Sequence, residues 1–450
     1  MSRFESVWRL FPTIDQHTDI IVRGASVALV VRVFGAALTF VFNVLVARDF
    51  GATGSGAYFL AFTAMTIATV FGRLGLDNAA VRFTAVHAST QDWGAVKGTH
   101  AATMGLGLVA SVVTVLIMLL VAPFLSVHAF HDPGITSMLR WMAIAAIPVA
   151  LSTLQSQTLR GLKLVASSVM VASVWTPGLA IVALLVIGRS HGPIGAAYSY
   201  ICAACVTTIA AWWWWRRMTP QLAGARVVTN TRRLLESSMP LLWATSMSLA
   251  MNWIATFALG AWGTLVDVGI FNAATRVATL VSFVLVAVDN ISAPTFAELY
   301  RAGNLPSLAR TARNTIVLML LLAAPVLAVI VIAPKFIMGV FGPEFRAGGW
   351  VLVTLALSQA VSVVAGSVGS LLMMSGHERQ VRDSNAVAAI ACAGLSVALV
   401  PKYGAMGAAV AVTVSLVARN AYELVMVRKY LGIGMLFSPP SATTRAGGVR

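Results

Sequence analysis

Long apolar runs alternate along this chain with short segments rich in Arg, Gly and Pro. A helix rises about 1.5 Å per residue, so about 20 apolar residues cross a hydrocarbon core of about 30 Å. Runs of that kind fall near residues 24–47, 56–76, 101–125, 137–159, 166–187, 193–215, 240–262, 267–290, 315–339, 349–373, 385–400 and 405–427. They predict an all-α polytopic membrane protein with twelve transmembrane helices, six in each half. The eleventh run, ending at Pro401, is the shortest.

The runs are not independent. Residues 51–85 overlay residues 263–297 at an offset of 212, with Gly51, Phe59, Ala61, Thr63, Phe71, Asp77, Asn78 and Ala85 falling on Gly263, Phe271, Ala273, Thr275, Phe283, Asp289, Asn290 and Ala297. At the same offset GPIGAA (192–197) meets GAMGAA (404–409). Apolar coincidences are expected in so biased a composition, whereas Asp-Asn and Gly-x-x-Gly-Ala-Ala matches are not. The chain therefore reads as a duplication, a common construction among secondary transporters. Six spans per copy is an even number, so both copies enter the membrane from the same side and an axis along the membrane normal relates them. The expected organisation is an interfacial N-terminal segment (1–22), a first lobe (23–215), a basic linker (216–238), a second lobe (239–431) and a tail (432–450).

Composition agrees with the solvent that the runs imply. Hydrophobic residues make up 58% of the chain and charged residues 10%, against about 25% charged in ordinary soluble domains. The net charge of +16 could indicate nucleic acid, but sorting the basic residues by loop gives another account. With the N-terminus cytoplasmic, twenty-one Lys and Arg fall on cytoplasmic segments, and six (Arg48, Arg140, Arg189, Lys335, Arg346 and Lys402) on the other side. That is the positive-inside asymmetry: both termini are expected in the cytoplasm, with anionic membrane lipid rather than nucleic acid as the partner of the excess. No cleavable signal peptide is expected, because Glu5, Asp15, Gln16, His17 and Asp19 interrupt the first twenty residues. Phe4, Val7, Trp8 and Phe11 follow helical spacing, as in a helix lying on the inner leaflet. Trp212, Trp213, Trp214 and Trp215 precede the linker and are expected to anchor at headgroup level.

Several motifs carry no chemistry. Cys202 and Cys205 form a C-x-x-C within an apolar run, and with Cys392 as the remaining cysteine they support neither a zinc site nor a disulfide framework. His128 and His131 flank a turn at Asp132-Pro133-Gly134. The sequence contains no phosphate-binding loop, nucleophile elbow or pair of catalytic carboxylates. An enzyme is not expected, nor a metal or cofactor; energy for transport would come from an ion gradient or from the substrate.

Four arginines stand out inside the predicted helices: Arg32, Arg73, Arg276 and Arg419. Such residues cost roughly 2.5–3.5 kcal/mol at a helix centre and face cavities or partners. Arg73 lies near the end of its run and can snorkel, and Arg419 has Glu423 one turn later. Arg32 lies roughly 12 Å inside the first helix and Arg276 near the middle of the eighth. Neither has an acidic residue within one turn. Both point to a water-filled cationic cavity, and a guanidinium fork suits phosphate. Asp77 and Asp289 occupy equivalent places at the ends of helices two and eight. They could share a structural or inner-gate role, or couple transport to protons. Asn43, Asn252 and Asn272 could contact sugar hydroxyls or hydrogen-bond between helices.

The opening RGASVALVVRVFGAALTFVFNVLVARDFGATGSGAYFLAFT resembles that of polysaccharide (O-antigen type) flippases of the multidrug/oligosaccharidyl-lipid/polysaccharide exporter superfamily. The supporting marks are the Ala-Arg-Asp-Phe-Gly turn with its following Gly-x-Tyr (47–58), Gly-Leu-Asp-Asn-Ala-Ala-Val-Arg (75–82), Leu-Arg-Gly-Leu-Lys (159–163) and the two Gly-x-x-Gly-Ala-Ala turns. The resemblance extends to about Leu431. It implies the exporter fold shared with MATE transporters, in which two six-helix lobes rock in alternating access. It also implies a lipid-linked oligosaccharide on an undecaprenyl pyrophosphate carrier as substrate, moved from the cytoplasmic to the periplasmic leaflet of a bacterial inner membrane for O-antigen, capsule or exopolysaccharide assembly. A polysaccharide polymerase and a chain-length regulator are the implied protein partners, and a proton or sodium gradient the implied drive. Three alternatives remain open: a cation-coupled multidrug exporter, a lipid II flippase, and a non-transporting scaffold for polymer assembly.

Overall fold

A computed structural model describes residues 16–228 and 231–434, with side chains described from residue 30 onward except at 244, 248, 252 and 290. The N-terminal helix expected from Phe4 to Phe11, and the tail beyond residue 434, lie outside the described residues.

Every described element is a helix. In chain order the α-helices are α1 (Gln16–Gly72), α2 (Leu76–Ser89), α3 (Trp93–Phe124), α4 (Ile135–Gly161), α5 (Val165–Val169), α6 (Thr176–Val186) and α7 (Ile194–Met218) in the first half. The second half holds α8 (Thr231–Trp262), α9 (Leu265–Arg301), α10 (Leu305–Ile332), α11 (Pro334–Gly339), α12 (Gly349–Ala365), α13 (Val368–Met374) and α14 (Glu378–Leu431). Among the described residues, nine helical segments are long and apolar enough to cross a membrane. The number is nine rather than twelve because two of them, Val30–Gly72 and Glu378–Leu431, each contain two of the apolar runs, while the seventh run survives only as the shorter stretch Leu249–Trp262.

Each double-length helix turns at a glycine. Gly51 has φ 68° and ψ −174°, and Gly404 has φ 52° and ψ −131°, conformations that a Cβ disfavours. The duplicated Gly-x-x-Gly-Ala-Ala motif performs the same turn twice. Gly192, the counterpart of Gly404, has φ 63° and ψ −158°. The second glycines are matched as well: a Cβ on Gly195 would lie 1.9 Å from the Gly188 carbonyl oxygen, and one on Gly407 would lie 2.4 Å from that of Leu399.

Several boundaries differ from the apolar runs. The ninth run breaks at Ala333, after α10, and the tenth at Gly366 (φ 74°). The linker is shorter than expected, because the good helix formers of residues 231–238 already belong to α8. The second run ends at Gly72, followed by Leu74 and Gly75 at φ 51° and 69°, so Asp77 stands in the first turn of a separate helix. Its counterpart Asp289 lies within α9, which continues for three more turns. The repeat explains why: Gly72 and Gly75 are replaced by Val284 and Ala287, and nothing stops the helix.

The tryptophan belt is also corrected. Trp212 and Trp213 are exposed, with Arg216 and Arg217 over their rings. Trp215 is buried and stacks on His100 at 4.0 Å, and Trp214 packs edge-on against Trp175. Successive side chains on a helix turn by about 100°, so four consecutive residues cannot share one face.

The halves meet along one seam. A single buried cluster runs through both, from Phe42, Tyr58 and Phe59 to Phe271, Phe341 and Phe345. At the end of the bundle that carries Gly51, small residues let α1 and α9 approach backbone to backbone. A Cβ on Gly56 would lie 1.8 Å from the Leu265 carbonyl oxygen, and one on Gly269 would lie 2.3 Å from that of Ala52. Glu344 accepts a hydrogen bond from the Ala52 amide (2.7 Å), capping the helix that restarts after Gly51, and Arg48 donates to the Val340 carbonyl (2.7 Å). The equivalent restart of α9 is capped from within, by a reciprocal Thr264–Asp267 box. Arg189 donates to Asp49 (2.8 Å) at the same end, and this hydrogen bond holds its guanidinium above the ordinary arginine range. At the opposite end, Gly75 packs against the backbone of Ser238 and Leu242.

Candidate functional site

A cavity of about 310 Å³ lies beside the seam, and Arg32 and Arg276 both line it. They are 244 positions apart in the sequence. Helical spacing on α1 delivers one face of the cavity: Arg32, Ala36, Thr39 and Asn43 recur every three or four residues, and after the Gly51 turn so do Tyr58 and Phe62. On α9, Arg276 and Phe283 stand two turns apart on a common face. Ser152 and Thr153 come from α4, and Tyr200 from α7.

The remaining wall is a widened turn. Residues Met170–Trp175 form a π-helix, and Ser173, Thr176 and Pro177 line the cavity from it and from the start of α6. Pro177 has no N–H to offer the Ser173 carbonyl four residues back, which favours the wider turn. The freed backbone packs closely on α1, where a Cβ on Gly35 would lie 2.4 Å from the Ser173 carbonyl oxygen.

The lining contains two arginines, several hydroxyls and five aromatic rings, and it contains no carboxylate. Arg32 is exposed and Arg276 half-buried. Among the described residues neither arginine forms an ion pair. Phe62 stands edge-on to Tyr200 (5.5 Å, 81°) and tilted to Tyr58 (5.9 Å). Such a chamber can receive an anion of modest size through the arginines and hydroxylated groups through Ser, Thr and Tyr.

The other sequence candidates are elsewhere or otherwise engaged. Asn43 lines the cavity, but its amide donates to the Thr39 carbonyl of its own helix (2.6 Å). Asn272 likewise donates to Val268 (2.9 Å) and is not among the lining residues. The expectation of interhelical hydrogen bonds is therefore corrected for both, since a back-bond to residue i−4 satisfies the same N–H without a partner helix. The side chain of Asn252 lies outside the described residues. Arg73 and Asp77 pair with each other at 2.7 Å, away from the cavity.

Asp289, Arg419 and Glu423 gather around the break between α12 and α13. Asp289 accepts from Ser370 (3.1 Å), Glu423 accepts from Ser384 (2.8 Å), and a Cβ on the intervening Gly369 would lie 3.2 Å from the Glu423 carboxylate. Arg419 and Glu423 form the expected i,i+4 pair only loosely, at 3.9 Å. Sequence reasoning missed Tyr58, Phe62, Tyr200 and the π turn. The period that joins Arg32 to Thr39 and Asn43 could have identified the α1 face, whereas the π turn leaves only the Thr-Pro pair as a signal.

Comparison with solved structures places this fold among known transporters. The structure described as the inward-facing conformation of a multidrug resistance MATE family transporter of the MOP superfamily overlays with a TM-score of 0.74 at 17% identity, covering 90% of this chain and 98% of that one. Lipid II flippase MurJ in its inward closed conformation gives 0.72 at 12% identity, covering 89% and 87%. A MOP superfamily transporter from Pyrococcus furiosus, described as having a binding pocket of reverse polarity, gives 0.58 at 16% identity, covering 90% and 93%. These likenesses concern the fold of a multi-pass membrane protein. No curated protein matches the sequence. The model of the polysaccharide biosynthesis protein family matches residues 21–300, well over half of the sequence. With the duplicated helical fold and the arginine-lined cavity, that match assigns the chain to the polysaccharide biosynthesis protein family.

Proposed function

We propose that the protein is a flippase that moves undecaprenyl-pyrophosphate-linked oligosaccharide from the cytoplasmic to the periplasmic leaflet of a bacterial inner membrane, supplying O-antigen, capsule or exopolysaccharide assembly. The observation that carries this reading is the meeting of Arg32 and Arg276, from the two copies of the repeat, in one cavity without carboxylates. Moving a pyrophosphate and sugars through hydrocarbon is prohibitive unless polar and charged groups replace water. Two guanidinium forks suit the phosphates, and the hydroxyl-bearing wall suits the first sugar. At about 310 Å³ the cavity lies at the small end of ligand sites, so it takes the pyrophosphate and its adjoining sugar rather than a whole repeat unit, while the polyprenyl tail stays in lipid.

In this reading α1 and α14 each cross twice, giving twelve crossings in two lobes, 23–215 and 239–431, joined by the segment 216–238. Both termini face the cytoplasm, and the Gly51 end faces the periplasm. The contacts Ala52–Glu344 and Arg48–Val340 then close the periplasmic side, and transport proceeds by rocking the lobes apart there. A proton or sodium gradient drives the cycle, and a polymerase with its chain-length regulator receives the product.

The test is deletion in the native host, followed by measurement of surface polysaccharide and of undecaprenyl-linked oligosaccharide in the inner membrane. Loss of polymer with lipid-linked units held on the cytoplasmic leaflet is expected, and Arg32→Gln with Arg276→Gln should reproduce it at normal protein abundance. Unchanged polymer together with new sensitivity to cationic drugs would refute flipping in favour of drug export. Full function of the double variant would refute the arginine-lined cavity and leave a scaffold role.

A further inference from the structure

Arg276 enters the cavity from α9, yet the surface it rests on belongs to the other copy of the repeat. Its guanidinium carbon lies 5.6 Å from the centroid of the Phe62 ring. That ring is fixed in turn by Tyr200 and Tyr58, which leave it little freedom to turn away. No carboxylate pairs with Arg276 among the described residues. An arginine normally loses rotamer freedom when it is held in one geometry. Here the holding contact is the face of an aromatic ring, which accepts no conventional hydrogen bond and so leaves the five N–H donors of the guanidinium available.

The sequence repeat shows that this arrangement exists in one copy only. At the 212-residue offset Phe62 corresponds to Ala274, and Arg276 corresponds to Ala64. Each partner therefore stands opposite an alanine in its own counterpart. The contact spans the seam, joining α1 to α9.

We propose that Phe62 is a positioning residue for anion recognition: its ring holds the Arg276 guanidinium in place and leaves the N–H groups free for the phosphate oxygens of the substrate headgroup. This rests on the reading that the cavity receives a pyrophosphate. The ring itself forms no hydrogen bond to the anion. Its effect is to hold the cation ready without neutralising it, which a carboxylate in the same place would not do.

The experiment uses the full-length protein in lipid nanodiscs and titrates inorganic pyrophosphate calorimetrically. Phe62→Leu, which keeps the bulk and loses the π face, should weaken binding roughly fivefold, about 1 kcal/mol at 1.4 kcal/mol per decade. Phe62→Trp should bind within about twofold of the parent, since Trp offers the stronger face. In an Arg276→Gln background, Phe62→Leu should cause no further loss. Parent-like binding by Phe62→Leu, failure of Trp to rescue, or equal losses in both backgrounds would each overturn the positioning role while leaving pyrophosphate recognition intact. If the unmodified protein binds pyrophosphate no better than an Arg32→Gln/Arg276→Gln variant, the headgroup reading falls and the role of Phe62 falls with it.

Discussion

Replacing Gly56 by alanine should loosen the seam at the Gly51 end. Gly56 faces the first turn of α9, where an added Cβ would sit 1.8 Å from the Leu265 carbonyl oxygen and 2.7 Å from its carbon. Ordinary carbon contacts lie at about 3.5–4.0 Å, so the two helices must separate by more than 1 Å. The obstacle is backbone, and no rotamer change can relieve it. Overpacking of this kind costs about 1–3 kcal/mol. The cost applies only while α1 and α9 are packed together, so it biases the protein toward states in which this end is open. A penalty of that size corresponds to a factor of roughly 5 to 150 in the population ratio.

Ser55 provides the readout, because it is fully buried beside the seam. In purified protein lacking Cys202, Cys205 and Cys392, a Ser55→Cys probe should react slowly with maleimide, and adding Gly56→Ala should accelerate it at least fivefold. Gly105→Ala is the control, since a Cβ there has no heavy atom within 4 Å, and it should leave the rate unchanged. Equal rates in the Gly56→Ala and control proteins, with both folded, would refute the claim that backbone contact at this seam holds the end closed.

Glu344→Gln removes the charge that caps the helix after Gly51. Because Glu344 is exposed, the expected loss is at most about 1 kcal/mol, read as a severalfold rise in Ser55→Cys labelling. Asp77→Asn strips the carboxylate from Arg73, whose side chain is only 16% exposed, and should cost about 2 kcal/mol of thermal stability in detergent. Asp289→Asn should cost much less, since Ser370 can still donate to the amide oxygen; equal losses would contradict this assignment. Trp215→Ala should lower the unfolding midpoint by the equivalent of about 3 kcal/mol. Trp213→Ala, at 52% exposure, should cost under about 1 kcal/mol, and the reverse order would show that the helix face is misassigned.

Much of this molecule could be read from sequence because its largest energy term is the transfer of apolar helices from water, which leaves long runs of residues. The glycine turns were legible for a related reason: only glycine tolerates the backbone at Gly192 and Gly404, and the repeat printed the same solution twice. Arg32 and Arg276 were legible individually, since a charge at that depth demands polar surroundings. Their meeting was not, because it depends on how α1 packs against α9 over 244 intervening positions. The equivalence of Asp77 and Asp289 misled for the opposite reason. The aspartates are conserved between the copies while the glycines that stop the preceding helix are not, and local backbone, not the side chain, decided what each aspartate could touch.

The duplication therefore divides its work between what is kept and what is lost. At the Gly-x-x-Gly-Ala-Ala turns both copies keep the same glycines, and the first of each has positive φ, 63° at Gly192 and 52° at Gly404. Around the cavity the copies diverge: Tyr58 and Phe62 face Ile270 and Ala274 at the repeat offset, Tyr200 faces Val412, and Arg276 faces Ala64. A cavity built identically by both copies would present two equal half-sites, whereas a headgroup with phosphates at one end and sugar at the other is unsymmetrical. The first copy contributes the hydroxyl wall and most of the aromatic one, and the second contributes Phe283 and one arginine that crosses the seam to lean on Phe62. A rocking motion that parts the halves must draw Arg276 away from Phe62. Under the proposed function, the contact that orients the cation would also be one that transport breaks, tying the geometry of recognition to the position of the lobes.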